Sequence, residues 1–341
     1  MNTLDLSSVL NLPNLVEDEK KVETAFLQVL DTSNPTFKKL GTHYTKAKSK
    51  RLRSALVMVS AGVTGADIDD KVIAAGTSIE LVHLSSLVHD DIMDGSSVRR
   101  GIPTANALEG DSQAILFGDF LLACAYRAAN GINPESVELI SKTIIELCDG
   151  QSRELKDLYN TSRSTASLFK AITGKTASLI SASVSIGAIS SKKDENVVDA
   201  LNEFGRDFGI MFQLIDDLQD FISNQELLGK PVMRDVVEGN YNHPVIASLA
   251  NAESDLLRSL LSKKREVDAG EVVNQIIKLG GFGSTIALIK QYCVSAEGRL
   301  KKLKKSASVD ALANLPRFYM NWSTSKLTDK KYRYLVDEFP V

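Results

Sequence analysis

Two stretches share one unusual pattern: Leu87-Val88-His89-Asp90-Asp91-Ile92-Met93-Asp94 and Phe212-Gln213-Leu214-Ile215-Asp216-Asp217-Leu218-Gln219-Asp220. Each is an apolar run that breaks into three aspartates spaced DDxxD. On a helix, positions i and i+4 lie on one face, one turn apart. Asp90 then stands above Asp94, and Asp216 above Asp220. Like charges at that spacing destabilise a helix by roughly 0.2–0.5 kcal/mol per pair. The same cost in two apolar helices points to cations that offset it. All-oxygen donors suit hard ions, and Mg²⁺ in particular is held by one or two carboxylates together with substrate phosphates. A single DDxxD has a plain alternative as a helix cap or a solvated face; the repetition argues against it.

The rest of the chain reads as nearly all helical. Its eight prolines leave long gaps, from Pro35 to Pro103 and from Pro134 to Pro231, that permit long helices. Apolar residues recur at three and four rather than alternating. The pattern predicts amphipathic helices over 16–48, broken at Pro35, and a buried helix over 53–63. A long apolar helix over 67–94 ends in the first cluster. Residues 95–104 are a loop by composition. Helices follow over 106–129, 134–159, 164–190 and 196–220, the last ending in the second cluster. A loop runs from Gly229 to Pro244, and more helix continues to the C-terminus, punctuated at Gly280-Gly281. No internal linker divides the chain, so residues 1–341 are expected to form one all-α domain.

Bulk properties narrow the function. The net charge is −3, which implies no bulk attraction to nucleic acid or anionic membrane. The three cysteines, Cys124, Cys148 and Cys293, are far apart and form no CxxC, as in reduced cytosolic proteins. The N-terminus lacks a basic region followed by a long apolar stretch. No run reaches the roughly 18 apolar residues of a transmembrane helix. A cytoplasmic location without a membrane span is the expectation. No HExxH supports a zinc protease. Gly174-Lys175-Thr176 resembles the end of a P-loop, but Phe169 stands where its first glycine is required. Arg299 to Lys305 is a charge run read as a solvated helical face.

Ions held by two facing clusters want anionic oxygens in their open positions, and diphosphate is the natural partner. Such a site also wants cations: guanidinium as a bidentate fork, ammonium as a point charge. Arg99 and Arg100 follow the first cluster, Lys175 lies in the small-residue helix, and Lys230 follows the second cluster. Lys50, Arg51 and Arg53 flank the start of an apolar helix.

With these residues in place the sequence resembles the trans-isoprenyl diphosphate synthases, the polyprenyl synthetase family. The resemblance spans roughly residues 40 to 320. It rests on LVHDDIMDGSSVRRGIPT from Leu87, FGDFLL from Phe117, GKTASL from Gly174, FQLIDDLQD from Phe212 and GKPVMRD from Gly229. It implies a bundle of long helices around a deep central cavity, the type I isoprenoid synthase fold, and a homodimer. It implies an enzyme that joins isopentenyl diphosphate head-to-tail to an allylic diphosphate, with three Mg²⁺ ions. Asp90, Asp94 and Asp216 are then the direct ligands, and Asp91, Asp217 and Asp220 complete the shell, some through water. Arg99, Lys175 and Lys230 clamp the allylic diphosphate. Lys50, Arg53, His83 and Arg100 receive the homoallylic diphosphate. Thr176 and Gln213 steady the allylic cation, and Arg234 replaces the charge of a common lysine. The chain departs from the family at Lys48-Ser49, where two glycines are usual, at Ser54 in place of proline, and at Asn240 in place of lysine.

Product length is read from the residues before Asp90. Ser86 and Ser85 are small where bulky aromatics stop growth early in the family, and Val82 lies deeper. The reading is a C30–C50 product, with C20 (geranylgeranyl) as the alternative and Phe120 or Tyr126 as possible floors. A terpene cyclase is disfavoured because the second cluster lacks the (N/D)Dxx(S/T)xxxE pattern. A partner or regulatory subunit of a heteromeric synthase is the reading of a different class, kept by the altered 48–54 stretch.

Overall fold

Helices begin where the sequence supplies a cap. Asp69 accepts from the Lys71 and Val72 amides, Asp194 from Asn196 and Val197, and Asn133 from Ser136 ahead of a first-turn proline. Each side chain satisfies a donor that the helix itself leaves orphaned. The structure, a computed structural model, describes residue 10 and residues 14–45, 51–191, 194–228 and 232–336.

In chain order the described elements are α1 (Leu15–Leu30), α2 (Pro35–Thr45), α3 (Leu52–Val63) and α4 (Asp70–Met93), then β1 (Val98–Arg99) and β2 (Ile102–Pro103). They continue with α5 (Ala105–Glu109), α6 (Asp111–Asn130), α7 (Pro134–Lys156), α8 (Thr165–Ile172), α9 (Ser178–Ser190) and α10 (Glu195–Ile222). Short α11 (Gln225–Leu228), α12 (Arg234–Glu238), α13 (His243–Leu249) and α14 (Asp255–Leu261) lead to α15 (Ala269–Lys278), α16 (Gly281–Arg299) and α17 (Ala307–Leu327). The fold is an all-α bundle.

The centre of the bundle is α9, every residue of which is buried. Its alanines and serines let α3 and α10 approach closely. A Cβ on Gly209 would sit 2.5 Å from the Ala177 Cα, and one on Gly205 2.6 Å from the Ser181 Cα. The serine hydroxyls turn back onto their own helix, as Ser183 does to the Leu179 carbonyl at 2.6 Å. One apolar cluster surrounds α10 with Phe204, Phe208, Leu214 and Phe221, and a second joins α4 to α6 with Ile79, Val88, Phe117 and Leu121.

Three expectations change. The helix over 164–190 is interrupted by a π-turn at Thr173–Ala177. The charge run is not one solvated helix: α16 ends at Arg299, which is held by Asp207 at 2.8 Å and Glu203 at 2.9 Å, and Leu300 is buried. Two helical stretches, Asp70–Met93 and Thr165–Ser190, are long and apolar enough to cross a membrane. Counting uninterrupted apolar runs missed them. Most of the apolar window in each is buried inside the bundle, so the core accounts for their apolarity.

Candidate active site

α4 and α10 each deliver an acidic cluster at the C-terminal end. Between them stand Lys175 on the π-turn and Glu154 on the last turns of α7. π-Turns in helices recur at functional sites, and this one is locked by glycines. A Cβ on Gly150 would lie 2.4 Å from the Lys175 amide nitrogen, and one on Gly174 2.5 Å from the Glu146 carbonyl oxygen. The Lys175 ammonium donates to Glu154 Oε1. Burial works against its charge, but Glu154, Asp90 and Asp94 outweigh that and hold its pKa above the usual lysine value. Asp90 is raised by burial, with Lys175 opposing and Asp94 adding to the rise.

The second cluster is wired to the same turn. Thr176 Oγ1 donates to Gln213 Oε1 at 2.6 Å, and Gln213 Nε2 donates to Asp217 Oδ1 at 2.9 Å. Both ends of the Gln213 amide are therefore engaged. Asp217 is 5% exposed, and its Oδ2 is buried without a partner. Burial pushes its carboxyl up to about 7, against the Gln213 bond and with the Asp216 charge adding to the rise. Asp216 itself is exposed, while Asp220 is buried and accepts from the Asp235 amide at 3.4 Å.

The raised Asp217 pKa gives a signed prediction. Between about pH 4 and 7 the folded chain holds a proton that the unfolded chain has lost. Stability from this group therefore falls as pH rises through that window and is lowest above 7. Asp217→Asn cannot titrate. In metal-free buffer its stability relative to wild type is expected to rise by roughly 2–4 kcal/mol between pH 5 and pH 8. Denaturant titrations at the two pH values check this, and a pH-independent difference contradicts it.

Two of the expected site residues already have protein partners. Asp91 is buried: its Oδ1 accepts from Arg99 Nε at 2.7 Å, and its Oδ2, like that of Asp217, is buried without a protein partner. This bond fixes the Arg99 side chain against the end of α4. The β1–β2 hairpin makes this possible, because its turn residues Arg100 and Gly101 both have positive φ, 52° and 81°, as a two-residue hairpin turn requires. Arg234 is engaged as well. It donates to Glu238 at 2.6 Å, to Ser96 Oγ at 3.1 Å and to the Asp94 carbonyl at 3.4 Å. It ties the segment after the second cluster to the end of the first. That segment also returns to α10, where the Met233 amide donates to the Asp220 carbonyl at 3.0 Å.

A separate basic pocket lies on the side of α4 that faces α1 and the hairpin. Arg51, His83, Arg99, Arg100 and Glu80 line it, with Phe26 and Leu87 among its apolar walls. Arg53 Nη1 lies 3.1 Å from His83 Nε2. Guanidinium only donates, so Nε2 accepts and the ring proton sits on Nδ1. Burial, then Arg53, Arg100 and Arg99, hold the His83 pKa well below its usual value, so the ring is neutral. Burial also lowers Arg53 to about 10.

Ser54, in the usual proline position, donates its amide to Glu80 at 3.1 Å, a bond that proline cannot make. Asn240, in the usual lysine position, accepts at 3.3 Å from the buried guanidinium of Arg163, which also donates to the Tyr241 carbonyl at 3.0 Å. A cation thus reaches that place from elsewhere in the chain. Lys50 and Lys230, and the Lys48-Ser49 departure, lie outside the described residues. Glu80 and Glu154 were missed by the sequence reading. Glu80 had a signal, being three residues before His83; Glu154 had none.

Of the two serines before Asp90, only Ser86 lies on its face. Ser85 turns to α6 and donates to the Gly118 carbonyl at 2.9 Å. Phe120 is taken up by packing on Phe37, with centroids 5.1 Å apart.

The polyprenyl synthetase family model matches residues 34–279. The chain belongs to that family. Its relatives are prenyltransferases, and so is this polyprenyl synthetase. It is 32% identical over 306 residues to heptaprenyl diphosphate synthase component 2 of Bacillus subtilis, covering 89% of this chain and 88% of that one. A polyprenyl synthase from Caulobacter crescentus, solved with calcium and isoprenyl diphosphate, superposes with a TM-score of 0.85 at 26% identity, covering 93% and 97% of the two chains. Geranylgeranyl pyrophosphate synthetase from Pyrococcus horikoshii superposes at 0.82 with 30% identity, covering 92% and 98%. These relatives span short and long products, so kinship with this polyprenyl synthetase does not select a chain length.

The donor set fits a hard divalent ion. It is all carboxylate oxygen, and Asp217 Oδ2 is a buried oxygen without a protein partner. Among the described residues no three acidic, histidine or cysteine side chains close on one point. Ions there would complete their shell with water, or with substrate oxygens once substrate is bound, as Mg²⁺ commonly does.

Proposed function

We propose that this polyprenyl synthetase condenses isopentenyl diphosphate head-to-tail onto an allylic diphosphate with Mg²⁺, and that its product is C30–C50. The observation that carries the reading is the placement of Lys175 and Glu154 between two acidic helix ends, beside a separate basic pocket. Asp90, Asp94 and Asp216 would hold the ions, with Asp217 and Asp220 supporting them. Bound Mg²⁺ supplies positive charge against the departing diphosphate.

Lys175 and Arg99 bind the allylic diphosphate, and Lys230 is assigned with them. Arg53, His83 and Arg100, together with Lys50, orient the homoallylic diphosphate, which supplies proximity. Thr176, fixed by Gln213, faces the allylic carbon as it becomes cationic. The buried walls keep water from that cation. The allylic C–O bond breaks first, leaving the cation and diphosphate. The double bond of isopentenyl diphosphate then forms the new carbon–carbon bond at that carbon, and the proton lost goes to the released diphosphate.

Chain length rests on Ser86, one turn below Asp90 on the same face. Incubation with isopentenyl and farnesyl diphosphates, followed by mass spectrometry of the dephosphorylated products, is expected to give a ladder reaching C30 or beyond. Ser86→Phe is expected to shorten it by at least two isoprene units. A wild-type stop at C20 overturns the long-chain reading and leaves the geranylgeranyl one.

Homodimerisation and a cytoplasmic location belong to the same reading. Ile115 and Leu116 on α6 and Ile145 on α7 are each about half exposed on neighbouring helices, an apolar strip suited to a second copy. Free thiols at Cys124, Cys148 and Cys293 support a reducing compartment. The Bacillus subtilis relative is named a component of a synthase. That favours, as a second reading, a chain that needs a different partner on the same strip.

A further inference from the structure

Lys175 is half-buried and feels the charge of three carboxylates, those of Glu154, Asp90 and Asp94. Its ammonium has one bonded partner among them, Glu154. An ammonium released from Glu154 would have the first cluster as its nearest opposite charge. There it would neutralise the same oxygens that a divalent ion needs.

Backbone contact sets this choice. The glycine pair Gly150 and Gly174 brings α7 against the π-turn, and Glu154 stands one turn beyond Gly150 on the face that meets Lys175. Glu154 also acts electrostatically on both Asp90 and Asp217.

We infer that Glu154 is a positioning residue that holds the Lys175 ammonium off Asp90 and Asp94, keeping the first cluster open to a divalent cation until diphosphate takes the lysine over. The inference rests on the metal-dependent reading above and adds a task for a residue outside the DDxxD motifs. Lys175 is the cation clamp for diphosphate, but without Glu154 it is also an internal competitor for the metal.

The test is Mn²⁺ binding to the full-length protein without substrate, followed by electron paramagnetic resonance. Glu154→Gln keeps the shape and removes the charge. It is expected to weaken Mn²⁺ binding at least tenfold. The double variant Glu154→Gln/Lys175→Gln is expected to bind Mn²⁺ as tightly as Lys175→Gln alone, because the competitor has gone. A merely structural role for Glu154 would leave the double variant as weak as Glu154→Gln, and that result would overturn the inference. So would Glu154→Gln binding Mn²⁺ like wild type. Wild-type protein that binds no Mn²⁺ would overturn the metal reading and this inference together, whereas the other two outcomes sink only the role of Glu154. Thermal melts of all variants confirm that each is folded.

Discussion

Asp90→Asn is expected to lower kcat by about a thousandfold or more, with little change in the KM for isopentenyl diphosphate. The substitution keeps the shape of the side chain and removes one negative charge from the first cluster. Metal-borne charge stabilisation is worth several kcal/mol, and each 1.36 kcal/mol is a factor of ten in rate. The homoallylic pocket is built on other residues, chiefly Arg53, His83 and Arg100, so binding of that substrate should survive. Asp90 also faces Lys175, whose charge it helps to hold. Steady-state kinetics at saturating Mg²⁺ check the split. A variant within tenfold of wild type would mean that the first cluster does not carry the ionisation step.

Arg99→Ala is expected to cost about 2–3 kcal/mol of stability in addition to its effect on substrate binding. The Asp91 side chain is 1% exposed and would be left without its 2.7 Å partner. Removing one member of a buried pair typically costs 3–5 kcal/mol, because the remaining charge stays buried and uncompensated. The Arg99 side chain is 28% exposed, so solvent already screens part of the pair and the figure is discounted accordingly. The double variant Arg99→Ala/Asp91→Leu, which leaves no orphaned charge, should recover most of the loss. Urea titrations of the three proteins measure this. A single-variant loss under about 0.5 kcal/mol would contradict the buried-pair reading of Asp91.

What the sequence made legible follows from the range of each interaction. Helices α4 and α10 and their acidic ends are local facts: an apolar face, a cap and an i,i+4 charge pair all lie within a few turns. The hairpin that aims Arg99 was read only as a loop. Its strands are two residues each, and the turn depends on positive φ at Arg100, which composition does not reveal. The π-turn was invisible for a related reason. Gly174-Lys175-Thr176 continues a helical pattern, and only the approach of Gly150 from α7 selects the wider turn. The bond from Arg99 to Asp91 is not legible in the DDxxD spacing of Asp91. One residue along a helix is a rotation of about 100°, and that turns Asp91 from the facing cluster to Arg99. Glu154 and the Arg163–Asn240 bond are contacts between distant segments, for which one sequence offers no spacing rule. The departure at Ser54 looked like a loss and proves to be a gain, since the serine amide secures Glu80 against α3.

The most direct test of the central claim is turnover by the purified single chain, given Mg²⁺, isopentenyl diphosphate and farnesyl diphosphate, with released pyrophosphate measured against time. Metal-dependent release that requires both substrates, stops on chelation and is lost in Asp90→Asn is the predicted result. No release by a folded chain that still binds both diphosphates would contradict it and assign the chain to a heteromeric synthase as one of its components.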